Sequence, residues 1–241
     1  MRVLSHGDSL IQLTKYPRLF PVNCYLIRED DGFTLIDASL AGNAEVIIAA
    51  ARAHGGAIRR IVLTHAHLDH AASLDALHAA LPGAEILVPA REARFLAGER
   101  TLDPVEILPG AKLRGSWQTA TTVPTRLLAA DDRVGSLRVV ASPGHTPGHV
   151  AYFDERDGTL IAGDAFQTRA GIAVSGTLRP LFPFPAFATW HKPTALTSAR
   201  TLHKLSPTRL AVGHGEILAR PLAAMARAIE EAAVAAQGGR S

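Results

Sequence analysis

The sequence predicts an α+β fold assembled from two similar halves, each a β-sheet with helices on its outer side. A faint internal repeat points to this. Residues Asp31–Ala38 (DGFTLIDA) echo Asp157–Ala165 (DGTLIAGDA), and Arg60–His65 echoes Arg209–His214. Between the members of each pair lies an Ala-rich helical stretch, Asn43 to His54 in the first half and Thr194 to Leu205 in the second. Each half therefore reads as hairpin, helix, strand. Two such halves stacked face to face bury both sheets and leave the helices outside.

The elements follow in order. Val22–Ile27 is an apolar run that places Cys24 in a buried strand, not in a nucleophile's position. Arg60–Thr64 is rich in β-branched residues and reads as a buried strand, and it leads into His65-Ala66-His67-Leu68-Asp69-His70. His65 and His67 alternate, so in extended geometry they point the same way. Asp69 and His70 open the next segment, and Ala71–Leu77 has helical character. Imidazoles for one ion beside a carboxylate and imidazole for another would let this hexapeptide serve two neighbouring metals. Four donors cannot complete two sites, so further ligands are required elsewhere.

Such donors follow. Leu137–Val140 is a strand candidate leading into Ser142-Pro143-Gly144-His145-Thr146-Pro147-Gly148-His149, whose Pro and Gly residues force a turn that fixes His145. Thr159–Asp164 is an apolar strand ending in Gly-Asp, and Arg209–Gly215 is a strand ending in His214 between two glycines. Every candidate donor thus stands at a strand end or in the turn just past one, where a rigid scaffold presents functional groups.

In this order and combination, the motifs resemble those of the metallo-β-lactamase superfamily, over roughly residues 20 to 220. The resemblance implies a four-layer αββα sandwich with a dinuclear metal centre, most often zinc, with iron or manganese as alternatives. It implies that His65, His67 and His145 hold one metal, that Asp69, His70 and His214 hold the other, and that Asp164 bridges both. Asp37, the repeat counterpart of Asp164, and His149 are then expected to orient the ligand loops from behind. The implied activity is hydrolysis of a small ester, lactone, thioester or phosphoester by a hydroxide that the two zinc ions generate, with Asp69 and Asp164 as ligands that also handle protons. The alternative within the same fold is a mononuclear iron enzyme resembling the persulfide dioxygenases. That reading leaves Asp69, His70 and His214 without a metal.

Departures from individual families narrow the substrate. Glyoxalase II relatives carry a helical glutathione-binding domain, whereas only 27 residues follow His214 here, with one helix over Pro221–Glu231. Zinc β-lactamases with a similar hexapeptide lack the bridging Asp. Acyl-homoserine lactonases match the metal motifs but resemble a pattern with Tyr three residues past that Asp, where this chain has Gln167; a lactonase or esterase reading is favoured. The segment Arg169 to Pro193, with Phe182, Phe184, Phe187 and His191, reads as a stiff apolar loop. Three prolines in six positions exclude regular helix or central strand there. With Gln167 it reads as the wall of a pocket for an acyl or other apolar part of the substrate, or else as an ordinary loop that buries aromatics over the helix layer. A second insertion, Arg94 to Thr125, carries Trp117.

Composition bounds the rest. The 241 residues are expected to form one domain, 1–241, with halves of about 1–125 and 126–241, because the interleaved donors tie the halves together. No apolar run approaches the ~20 residues that span a bilayer, and residues 1–8 lack the apolar core of a signal peptide. A lone cysteine excludes an intrachain disulfide and suggests a reducing cytoplasm. A net charge of +3 with no basic block argues against nucleic acid. The expected partner is a small-molecule substrate, for a monomer or homodimer with no membrane association.

Overall fold

The computed structural model of the chain describes residues 1–238. The chain divides into two units, Met1–Glu99 with Trp117–Leu128, and Arg100–Ser116 with Ala129–Ser241. The first carries β1 (Arg2–His6), β2 (Leu10–Lys15), β3 (Val22–Glu29), β4 (Gly32–Ile36), α1 (Ala44–Ala53), β5 (Ile58–Val62), α2 (Leu68–Ala71), α3 (Leu74–Ala80), β6 (Glu85–Pro89), α4 (Ala90–Leu96) and β7 (Arg126–Leu128). Its strands form one seven-stranded sheet in sequence order. Pairing is antiparallel from β1 to β4 and parallel from β4 to β7. Leu35, Ile36, Ile61, Val62 and Val88 are buried in the parallel part, whose strands are accordingly near-continuous apolar runs. Helix α1 buries Ile47, Ala50 and Ala51, the stripe its 3.6-residue period predicts.

The second unit carries β8 (Arg133–Val134), β9 (Leu137–Ala141), β10 (Val150–Asp154), β11 (Thr159–Ile161), β12 (Phe166–Gln167), β13 (Ala173–Val174), α5 (Phe184–Phe187), α6 (Lys192–Lys204), β14 (Arg209–Ala211), β15 (Leu218–Ala219) and α7 (Leu222–Gly238). Six strands order as β15-β14-β11-β10-β9-β8, and β12 pairs with β13 separately. Leu160, Phe166, Leu202, Leu210 and Met225 belong to one core that joins this sheet to α6 and α7.

The sequence echo is a structural one. In the first unit, hairpin β3–β4 is followed by α1 and by β5 parallel to β4. In the second, hairpin β10–β11 is followed by α6 and by β14 parallel to β11. Even the ion pairs recur: Arg60 meets Asp31 at 2.5 Å and Arg209 meets Asp157 at 3.3 Å, each tying the parallel strand to the hairpin turn.

Several local expectations change. The helical segment expected at Ala71–Leu77 is two short helices, and Asp69 and His70 lie inside the first of them. Ser73 stands between the two, its hydroxyl donating to the Leu40 carbonyl at 2.5 Å. Helix α6 begins at Lys192, two residues before Thr194, because Pro193 sits in its first turn where a missing N–H costs no helical bond. The proline-aromatic stretch, expected to exclude helix, forms the single turn α5 for the same reason, with Pro185 at its start. Strands β1 and β2 gave no alternating signal, since β2 buries Gln12 and Thr14 as well as its apolar residues. The Thr14 hydroxyl is satisfied by donating to Asn23 Oδ1 at 2.8 Å. The insertion at 94–125 is shared: Arg100–Ser116 falls in the second unit and Trp117 in the first.

No helix among the described residues is long and apolar enough to cross a membrane. Cys24 is fully buried in β3, and burial, with a smaller contribution from the Asp37 carboxylate, pushes its thiol well above the usual range. The native protein should therefore resist alkylation by iodoacetamide at pH 8 and take up one equivalent only in guanidinium; rapid native labelling would contradict the burial.

Candidate metal centre

In the first unit the loop after β5 gathers the hexapeptide's imidazoles. His65, His67 and His70 are buried, with ring centroids of His65 and His67 4.8 Å apart and those of His65 and His70 4.2 Å apart. Asp69 is half-buried, its Oδ2 3.9 Å from His70 Nε2.

Two carboxylates hold this loop from behind. Asp37, just past β4 and at a φ of 64°, accepts the Thr64 backbone N–H at 2.7 Å and the Thr64 hydroxyl at 2.9 Å. A positive φ is tolerated by Asp better than by most residues, and it costs of order 1 kcal/mol or more that the surrounding bonds must offset. Asp37 Oδ2 also accepts from His70 Nδ1 at 2.8 Å. Glu92, fully buried on α4, accepts the Ala66 N–H at 2.8 Å.

These bonds fix the tautomers. A carboxylate only accepts, so His70 donates its Nδ1–H to Asp37, and in the neutral ring Nε2 is then the lone-pair nitrogen. The Thr64 hydroxyl, having donated to Asp37, accepts from His65 Nδ1 at 3.0 Å, so His65 also presents Nε2. In that state both rings offer a nitrogen able to take a cation. Asp37→Ala should lower metal affinity or activity about 10–100-fold with the fold retained, while Asp37→Asn, which can still accept through its amide oxygen, should lose less. Equal metal affinity in all three proteins would contradict this positioning role.

In the second unit three donors converge. Asp164 lies in a 3-10 turn just after β11, and its Oδ2 is 3.3 Å from His145 Nε2 and 3.2 Å from His214 Nε2. All three side chains are nearly fully buried. His149 approaches from the other side. Its Nε2 accepts the Asp164 backbone N–H at 3.1 Å and its Nδ1 meets Ser142 Oγ at 2.9 Å, so both ring nitrogens are engaged in holding Asp164.

His145 is oriented by a chain whose direction its last member decides. The Pro185 carbonyl can only accept, so Thr189 donates to it at 2.7 Å. Ser175 then donates to Thr189 at 2.8 Å and accepts from His145 Nδ1 at 2.9 Å. A neutral His145 therefore turns an Nε2 lone pair towards a carboxylate oxygen 3.3 Å away. Two electron-rich atoms at that distance in a buried site repel unless a proton or a metal cation lies between them. This donor set fits a divalent metal ion of the kind that imidazole and carboxylate ligands hold.

The remaining residues singled out in the sequence are spread around these groups. Phe182 is buried against the His214 ring, with centroids 5.5 Å apart, and Phe184 packs on Phe182 at the same distance. Phe184 and Phe187 are largely exposed. Gln167 is buried, its Nε2 donating to the Gly171 carbonyl at 3.1 Å. His191 precedes α6, its Nδ1 2.6 Å from Thr194 Oγ1, and burial holds its imidazole below the usual range against the opposing effect of the Pro109 carbonyl. Trp117 lies between His67, which it meets edge-on, and Phe95, to which it is tilted, with centroids at 4.5 and 4.2 Å. Thr64, Glu92, Ser175 and Thr189 carried no signal as isolated letters, being common residue types outside any metal spacing.

Comparison with known proteins agrees with this geometry. The family model of the metallo-beta-lactamase superfamily matches residues 17–214. The chain belongs to the metallo-beta-lactamase superfamily. It is 46% identical to Uncharacterized protein YobT of Bacillus subtilis (strain 168), over 96% of this chain and 99% of that protein. It is 29% identical to the Probable metallo-hydrolase YflN of the same organism, over 80% of each. A Hydroxyacylglutathione hydrolase of Rhodospirillum rubrum is 31% identical over 67% of this chain, which spans 57% of that protein's length. The crystal structure of DIM-1 metallo-beta-lactamase superposes with a TM-score of 0.73 over 97% of both chains at 16% identity, a likeness of fold alone. The α+β metallo-β-lactamase fold expected of the sequence is thus the fold of this superfamily member.

Proposed function

We propose that the protein is a dinuclear metal hydrolase, with zinc the favoured metal, acting on a small ester, lactone, thioester or phosphoester. The observation that carries the reading is Asp164, a buried carboxylate with two imidazole nitrogens on one oxygen. In this reading His65, His67 and His145 hold one ion, Asp69, His70 and His214 hold the second, and Asp164 bridges. When bound, the ions supply Lewis-acid polarisation of the substrate's carbonyl or phosphoryl oxygen and bring a water's pKa towards neutrality. The chain's own residues do the rest. Asp37 and Thr64 keep the Nε2 atoms of His65 and His70 unprotonated and aimed, and the Ser175–Thr189 chain does so for His145. Asp69, the more exposed of the two candidate acids, can take a proton from the attacking water and release it to solvent. Phe182, packed at a tilt against His214, shields that side chain from bulk water.

The metallo-hydrolase and hydroxyacylglutathione hydrolase relatives support hydrolysis as the reaction class. Turnover of a panel containing a lactone, an aryl ester, a thioester and a phosphodiester tests it. Hydrolysis of one class, abolished by a chelator and restored by zinc, is expected. No turnover of any member by metal-loaded protein would remove the reading.

A further inference from the structure

Beside the His145 turn the second unit has a cleft of about 300 Å³, a volume suited to a small organic molecule. Pro109, Phe187 and Trp190 give it apolar walls, while Arg114 and Lys192 bring two cations and no acidic residue lines it. The cleft is wired to the ligand turn. Trp190 N–H donates to the His145 carbonyl at 2.8 Å and His191 N–H to the Gly144 carbonyl at 2.9 Å. Thr189, also in its lining, is the residue that orients His145 through Ser175.

We propose that this cleft is a recognition subsite for the carboxylate end of a small acyl substrate, with Arg114 and Lys192 taking the carboxylate and Phe187 and Trp190 the aliphatic part. The inference rests on the hydrolase reading only for the word substrate; the binding itself does not. Three features support it. The two cations are the only charged side chains of the lining, so the local field favours an anion. Lys192 is also held in place: a Cβ at Gly176 would stand 2.6 Å from Lys192 Cγ, so the lysine stem lies against a residue that has no side chain to displace it. Lys192 further begins the 13-residue helix α6, whose N-terminal dipole adds to the attraction.

The test is calorimetric titration of pentanoate and of 1-pentanol into the protein, as purified and after chelation, with the Lys192→Met, Arg114→Met and Lys192→Arg variants alongside. Both cations are on exposed residues, so the variants should fold as the parent does, which circular dichroism checks. Pentanoate should bind at least about tenfold more tightly than pentanol, and each Met variant should weaken it about five- to tenfold, the range of one charge-assisted contact. Lys192→Arg should retain binding, and chelation should leave it unchanged. Pentanoate binding that ignores both Met variants, or that vanishes on chelation because the carboxylate sits on the metals, overturns the proposal. Charge-dependent binding by a protein that hydrolyses nothing in the panel would keep the subsite and remove the hydrolase reading.

Discussion

Asp164→Ala should lower bound metal from two equivalents towards one and reduce kcat/KM by at least about 10³-fold, the several kcal/mol that a dinuclear centre contributes to transition-state stabilisation. The effect is electrostatic. Asp164 is 3% exposed and is the one carboxylate that His145 and His214 share. Without it, two buried imidazoles lose their common anionic partner, and any cation held there loses the charge that offsets its own desolvation. Asp164→Asn keeps the size and one acceptor oxygen but not the charge, so it separates packing from electrostatics. Its metal content should fall with that of the alanine variant. Two equivalents of metal with full activity in either variant would sink the bridging assignment. The two variants also differ usefully in stability, since Asn preserves the packing of the turn and Ala does not.

Gly144→Ala should be strongly damaging although it adds a single methyl. Gly144 has a φ of +140°, where L side chains are strained, and a Cβ built there would stand 2.3 Å from Ala195 Cα and 2.4 Å from Ala195 N. Those are backbone atoms of α6, so no rotamer change relieves the clash; either the turn or the helix must move. The expected loss is about 2–4 kcal/mol, or a fall in Tm of roughly 5–15 °C. The consequence reaches the metal centre, because the displaced turn carries His145 on its next residue. Ala195→Gly removes only the Cβ that also lies 2.6 Å from the new methyl and leaves both backbone clashes, so it should not restore the stability of the variant. A Gly144→Ala protein with unchanged Tm and metal content would show that the turn is looser than its packing implies.

Much of the fold and of the candidate site was legible because both depend on strand ends. His65, His145, Asp164 and His214 follow β5, β9, β11 and β14, and each of those strands runs out through apolar residues, as Ile61-Val62, Val139-Val140, Leu160-Ile161 and Leu210-Ala211 do. The repeat added the topology, down to the paired Asp31–Arg60 and Asp157–Arg209 bridges. What was not legible is what holds the donors in place. Glu92 reads as an ordinary acid on an amphipathic helix, yet it is fully buried and accepts the Ala66 N–H. Ser175 and Thr189 lie 30 and 44 residues from the histidine they orient, and no local spacing links hydroxyls to an imidazole so far away. Strands β1 and β2 escaped because β2 buries polar Gln12 and Thr14, which hides the alternation. The single turn at Phe184–Phe187 is hidden by its prolines for a different reason. Proline forbids a helix interior but suits a first turn, and a four-residue helix is little more than a first turn.

The central claim is a two-metal centre, and metal content by elemental mass spectrometry, on protein purified without added metal, tests it most directly. The account predicts close to two equivalents of zinc, with one or both lost when any of His65, His145, Asp164 or His214 is replaced by alanine. About one equivalent of iron, unchanged by Asp69→Ala and His214→Ala, would contradict it.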